Sequence, residues 1–125
     1  METPKVNNTD TAFIFTLGQV VGANPDKIYT MPNEFGCAYV HYVDGGGLCD
    51  GCLIGTVLVK LGVPREWFIE VSANTGKGAG VVLAQFGFSR EIGIAADRAQ
   101  NVQDGGEPWW RAGEAFLYTY DQIKA

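Results

Sequence analysis

The sequence predicts an α+β fold: a mainly helical single domain of about five helices with a small two-stranded β element. Three observations lead there. Apolar residues recur at helical spacing through most of the chain, and those stretches begin at capping residues and end at Gly or Pro. One short run, "CAYVHYV", alternates instead and is rich in β-branched and aromatic residues. The 125 residues are the size of one domain, and a composition 46% apolar and 12% aromatic suffices for a core. Residues 1–9 read as a flexible N-terminus and 10–125 as one globular unit.

The first helix is "DTAFIFTLGQVVGANP", with Asp10 as N-cap, Phe13, Leu17, Val20 and Val21 at helical spacing, and Gly22 and Pro25 as stops. "KIYT" follows as a short extended piece. "CAYVHYV" is a strand running into the "DGGG" turn. Asp50 is placed to cap the next helix, which would put Gly51 in its first turn and bury Leu53, Ile54, Val57, Leu58 and Leu61. Gly62 and Pro64 end it, and Pro64 opens the short helix "PREWFIEV". After the loop "SANTGKGAG" comes the brief apolar helix "GVVLAQFG". Ser89 caps a further helix whose stripe is Ile92, Ala95, Ala96, Ala99 and Val102. Pro108 starts the last, with Trp109, Ala112, Phe116, Tyr120 and Ile123 on one face. Trp110 points about 100° away from Trp109, so a second face of this helix needs a cover. The "FIF" run at Phe13 to Phe15 is apolar in three directions and implies a homo-oligomer, most simply a symmetric dimer.

Composition excludes several functions. Net charge is −5 and the nine basic residues are scattered, so no basic stripe exists to hold a nucleic acid. The uncharged apolar runs are too short to span a membrane. No basic-then-apolar order marks a secretory signal, and three cysteines fit reduced thiols in a cytoplasm better than a disulfide framework. No cofactor motif is present: "GKG" lacks the flanking Gly and Ser or Thr of a phosphate-binding P-loop.

The chemistry concentrates in "GGGLCDGCLIG", residues 45 to 55. As a metal knuckle, Cys37, His41, Cys49 and Cys52 are ligand types for zinc. A strand over 37 to 43 would nevertheless separate Cys37 from His41 by roughly 13 Å, at about 3.3 Å per residue. As a nucleophile, Cys52 near a helix N-terminus gains thiolate character, with His41 as its base. "CLIGTVLVKLGVPRE" resembles the nucleophile helix of NlpC/P60 cysteine peptidases, although there the histidine follows the cysteine and here it precedes it. As a backbone cradle, Gly45, Gly46, Gly47 and Gly51, with Cys52 and His41, would present free amides at a helix N-terminus to a small phosphate-bearing ligand. Of the three thiols, Cys49 is expected to be the exposed one.

"NPDKIYTMP", "CAYVH", "GCLIG" followed by "LGVP", and "AQNVQDGGEPW" occur in an order similar to a group of small accessory proteins of actinobacteriophages. That group often has a proline before its "GC" pair, where this chain carries Cys49 and Asp50. The resemblance implies a phage protein acting in the cytoplasm of an actinobacterial host, and it brings no catalytic residue with it. Joined to the glycine loop, it leads to the expectation of a non-catalytic sponge for a host nucleotide-type defence signal. The rival expectation is an inhibitor that docks on a host protein through the aromatic C-terminal helix. A Cys52–His41 enzyme ranks behind both.

Overall fold

Six helices and one two-stranded antiparallel sheet are formed in the computed structural model, which describes residues 2–30 and 38–125. Cys37, read above as the start of a strand and a weak zinc ligand, lies outside the described residues. The elements are α1 (Asp10–Ala23), β1 (Val40–Tyr42), β2 (Leu48–Asp50), α2 (Leu53–Lys60), α3 (Arg65–Glu70), α4 (Ala79–Gln85), α5 (Arg90–Asp104) and α6 (Trp109–Lys124). No helix among the described residues is long and apolar enough to cross a membrane.

The helical stripes read from the sequence are the ones that pack. Phe13, Leu17 and Val20 of α1, Leu53, Ile54, Val57 and Leu58 of α2, and Ile92, Ala95, Ala96 and Ala99 of α5 are all buried. Trp109, Ala112 and Phe116 of α6 join them, with the Phe116 ring stacked on Phe13 at 5.4 Å. Ser89 caps α5 as expected, its hydroxyl accepting from the Ile92 N–H at 3.2 Å. The cap of α1 is Thr9 rather than Asp10, because the shorter Thr9 hydroxyl accepts from the Ala12 N–H at 3.1 Å. Asp10 is thereby released to accept from Ser89 at 2.7 Å and from the Tyr120 hydroxyl at 2.6 Å. One carboxylate thus joins the starts of α1 and α5 to the last turns of α6. It also holds the phenol proton in place, pushing the Tyr120 pKa up to about 12. Asn8, in the segment expected to be flexible, donates to the Phe86 carbonyl at 3.0 Å.

The strand pairing is specified by the structure, and two expectations around residues 45 to 55 need correction. The partner of β1 is Leu48–Asp50, with Val40 opposite Asp50, His41 opposite Cys49 and Tyr42 opposite Leu48. "KIYT" contributes only a single bridge, Ile28 to Pro108. Asp50 does not cap α2, because it lies in β2 and its carboxylate binds Arg65 at 2.8 Å. The N-cap position is Cys52, without a side-chain cap, and Gly51 stands before the helix rather than in its first turn.

What replaces the cap is a pair of close approaches. The hairpin ladder continues past β2: the Gly51 N–H donates to Tyr39 O at 3.1 Å and the Cys52 N–H to Ala38 O at 2.9 Å. The next amide, Leu53 N–H, donates to Gln103 Oε1 at 2.8 Å. That oxygen also takes the Trp109 indole N–H at 3.2 Å, and Gln103 has no exposed surface. The backbones come so near that glycine is required. A Cβ on Gly51 would collide with Ala38 O and stand 2.7 Å from the Tyr39 carbonyl carbon. One on Gly55 would collide with Tyr39 O and stand 2.7 Å from Tyr39 Cα.

These contacts reverse a propensity argument. Alanine in a helix is favoured over glycine by about 1 kcal/mol, yet Gly55→Ala and Gly51→Ala should each lower stability by about 2 kcal/mol or more, since backbone atoms cannot step aside. Gln103→Leu orphans two buried donors and should cost about 3 kcal/mol. Urea titrations of the three variants check both values; wild-type stability in Gly51→Ala would mean that the Tyr39 contact is not formed.

Candidate functional site

Gly45, Gly46 and Gly47 form the tip of the β1–β2 hairpin. All three have φ near +90°, a left-handed conformation that reverses the chain at little cost only with glycine. The Gly46 N–H donates to Val43 O at 3.1 Å and the Val43 N–H to Gly47 O at 3.2 Å. The whole of β2 separates this tip from α2, a span of roughly 10 Å for three residues. The amides of Gly51, Cys52 and Leu53 are already bonded to protein oxygens. The structure therefore does not bring the glycine triplet and the start of α2 into one anion cradle.

The thiols separate as well. Cys52 is fully buried, so a nucleophile there has no access to substrate. Cys49 is partly exposed and lies directly across the hairpin from His41. Among the described residues no group of three or more His, Cys, Asp or Glu could hold a metal ion.

Two of the expected site residues, His41 and Gly51, do meet, in company the sequence reading did not foresee. They line a cleft of about 450 Å³ with Lys27, Ile28, Tyr29, Thr30 and Asp50. The 27–30 wall is held by the start of α6. Pro108 offers no side-chain cap, and the first N–H groups of the helix, from Trp109 and Trp110, donate to the carbonyls of Lys27 and Pro25, both at 2.9 Å. Lys27 lies back over the Trp109 ring, its ammonium 4.7 Å from the centroid.

The polar centre of the cleft is the pair Tyr29 and His41. The Tyr29 hydroxyl accepts from the Ala38 N–H at 2.9 Å, lies 3.2 Å from Ala38 O, and is 2.7 Å from His41 Nε2. A hydroxyl has one proton to give. With the Nδ1–H tautomer of neutral His41 it goes to Nε2; with the Nε2–H tautomer, or with charged His41, Nε2–H donates to the hydroxyl and the phenolic proton turns to Ala38 O. Burial lowers the His41 pKa from 6.5, and the Lys27 charge lowers it further. Near neutral pH the imidazole is thus uncharged. Arg65 offsets Asp50, leaving the Lys27 ammonium as the charge of the cleft not met by an opposite one among the described residues.

A larger groove of about 520 Å³ lies between α5 and α6, where Arg98 and Arg111 are balanced by Glu107 and Glu114. It has no buried polar group like Tyr29. The second face of α6 is covered in part by the chain itself: Gly113 sits under Val21 of α1, so near that a Cβ would stand 3.1 Å from Val21 Cγ2. Trp110 remains 40% exposed, with the Arg111 guanidinium 4.9 Å over its ring.

Lys27, Tyr29, Thr30 and Asp50 were missed because no motif joins them to His41. Their one signal is the cation–aromatic–hydroxyl order of "KIYT". No protein-family model, curated protein or solved structure matches this chain.

His41 is the single histidine, so one imidazole resonance reports its titration. Its midpoint should lie below 6.5, and Lys27→Gln should move it up. Because the folded pKa lies below the unfolded one, the histidine's contribution to stability is full above pH 6.5 and is lost as pH falls through the folded midpoint. Melting temperatures should therefore fall from pH 6.5 downward less steeply in His41→Gln than in the wild type. A wild-type midpoint at or above 6.5 would contradict this geometry.

Proposed function

We propose that this chain is a non-catalytic binder of a small phosphate-bearing ligand, seated in the cleft between residues 27–30 and the hairpin. The observation that carries the reading is charge: in a chain of net charge −5, this cleft holds an ammonium that no carboxylate among the described residues matches, Asp50 being paired with Arg65. Lys27 meets the anion, the Thr30 hydroxyl donates to it, and the Tyr29–His41 pair supplies a further proton. This moves the site away from the glycine triplet at the hairpin tip, where the Gly46 amide is bonded to Val43 O, and keeps His41 and Gly51 as lining residues. Catalysis has less support, since the thiol at the helix start is buried.

The resemblance to actinobacteriophage accessory proteins supplies the biological setting. In a host cytoplasm, a protein with a phosphate-binding cleft would act by sequestering a nucleotide-type defence signal. Docking on a host protein through α6 has less to stand on, because α1 already covers the Gly113 part of that face.

A thermal-shift screen of cyclic and linear nucleotides, with inorganic pyrophosphate alongside, tests the reading. A ligand at a hundredfold excess over its Kd adds about 2.7 kcal/mol, a rise in Tm of roughly 10 °C. Lys27→Glu should abolish that rise while lowering the Tm of the free protein by only a few degrees, through the lost contact with the Trp109 ring. An anion beside His41 raises its pKa, so binding should tighten as pH falls through the histidine's midpoint. No shift with any of these anions, or a shift that survives Lys27→Glu, would reject the assignment.

A further inference from the structure

We propose that the cleft selects a phosphodiester, a phosphate of single charge such as that of a cyclic nucleotide, over phosphomonoesters and pyrophosphate. The inference rests on the anion-binding reading of the cleft and adds the class of phosphate. It starts from the charges present. The ionisable lining residues are Lys27, Tyr29, His41 and Asp50. Burial and the Lys27 charge keep His41 uncharged near neutral pH. Asp50 is held by Arg65. One positive charge is left, in a chain of net charge −5. A phosphodiester carries one negative charge and matches it. A phosphomonoester carries about −1.5 to −2 at pH 7 and exceeds it.

The groups that would hold a terminal phosphate are committed elsewhere. Such a phosphate is clamped by a bidentate guanidinium or by free amides at a helix start. The guanidinium beside the cleft, that of Arg65, directs both Nε and Nη2 to a single oxygen, Asp50 Oδ1, at 2.9 and 2.8 Å. At the start of α6 the amides of Trp109, Trp110 and Arg111 donate to the carbonyls of Lys27, Pro25 and Pro108. At the start of α2 those of Cys52 and Leu53 donate to Ala38 O and Gln103 Oε1. What remains is one ammonium, a point charge without a fork, beside uncharged hydroxyl and imidazole donors.

Electrostatic scaling then sets the order of affinity. Attraction to a single ammonium grows in proportion to the ligand's charge, whereas the cost of taking the ligand out of water grows with the square of that charge. A second negative charge doubles the first and quadruples the other. The rest of the chain, itself negative, adds repulsion. Size agrees with a small ligand: a cleft of about 450 Å³ suits one nucleotide unit.

Isothermal titration of the full chain tests this with pairs that differ only in the phosphate: cyclic AMP against linear AMP, and the guanine, cytosine and uracil pairs likewise, with inorganic pyrophosphate alongside. The cyclic member of at least one pair should bind tighter than its monoester by roughly tenfold. Asp50→Asn frees Arg65 and gives the cleft a second positive charge, so the preference should vanish or reverse. The fold should survive, because this ion pair is only half-buried. Arg65→Gln leaves the Asp50 carboxylate unmet and should instead weaken both members of the pair. A monoester or pyrophosphate that binds the wild type as tightly as the cyclic form overturns this inference and leaves the anion-binding reading standing. So does a preference that folded Asp50→Asn leaves unchanged, or an Arg65→Gln variant that binds the cyclic form as tightly as the wild type. No binding by any of these anions overturns both readings.

Discussion

The backbone of Tyr39, lying bare against Gly51 and Gly55, is the contact on which the rest of the structure depends. Two missing side chains let the start of α2 sit directly on the strand, and the carbonyls of Ala38 and Tyr39 then take the Cys52 and Gly51 amides. The neighbouring groups are held from other directions. The Tyr39 ring stacks on Phe68 at 5.3 Å and its hydroxyl donates to Lys77 O at 2.8 Å. Asn74 bonds both the N–H and the carbonyl of Val40. On the far side of the α2 start, buried Gln103 links Leu53 to Trp109. Close-packed backbones have no slack, so a Cβ here would disturb four helices and the hairpin together.

The cleft hangs on the same peptide. The Tyr29 hydroxyl bonds the N–H and carbonyl of Ala38, and the same carbonyl accepts from Cys52. His41 is three residues further along the strand. Its proton state is therefore set by groups whose positions the Gly51–Tyr39 approach determines, which is how a packing constraint becomes a binding property. A site built on such a support has little freedom to rearrange around a ligand.

Much of this was legible in the sequence, and what was not has a common cause. Periodicity identified the buried faces of α1, α2, α5 and α6, because helical stripes record burial locally. Ser89 was readable as a cap because a hydroxyl beside a helix start satisfies a local donor. Asp50 looked equally suitable, but it is taken by Arg65, fifteen residues away, and the helix start is satisfied by Gln103, fifty residues away. The glycines show the same division. In sequence Gly45 to Gly47 and Gly51 belong to one loop; in space three make a turn and one makes room for a distant backbone. Of the site, His41 and Gly51 were found, whereas Lys27 and Tyr29 come from a segment whose link to the hairpin is made only by tertiary contact.

The central physical claim is that "GGGLCDGCLIG" is a packing device whose helix-start amides face inward, with the binding cleft built beside it. Amide hydrogen exchange of the native protein, read residue by residue, tests this most directly. The N–H groups of Gly51, Cys52 and Leu53 should exchange as slowly as those of the α2 and α5 core, through global unfolding alone. The exposed amides at the Gly45–Gly47 tip should exchange far faster. Rapid exchange at Gly51 and Cys52, matching that of the tip, would show that the helix start is open to solvent and would contradict the Tyr39 contact on which both fold and cleft rest.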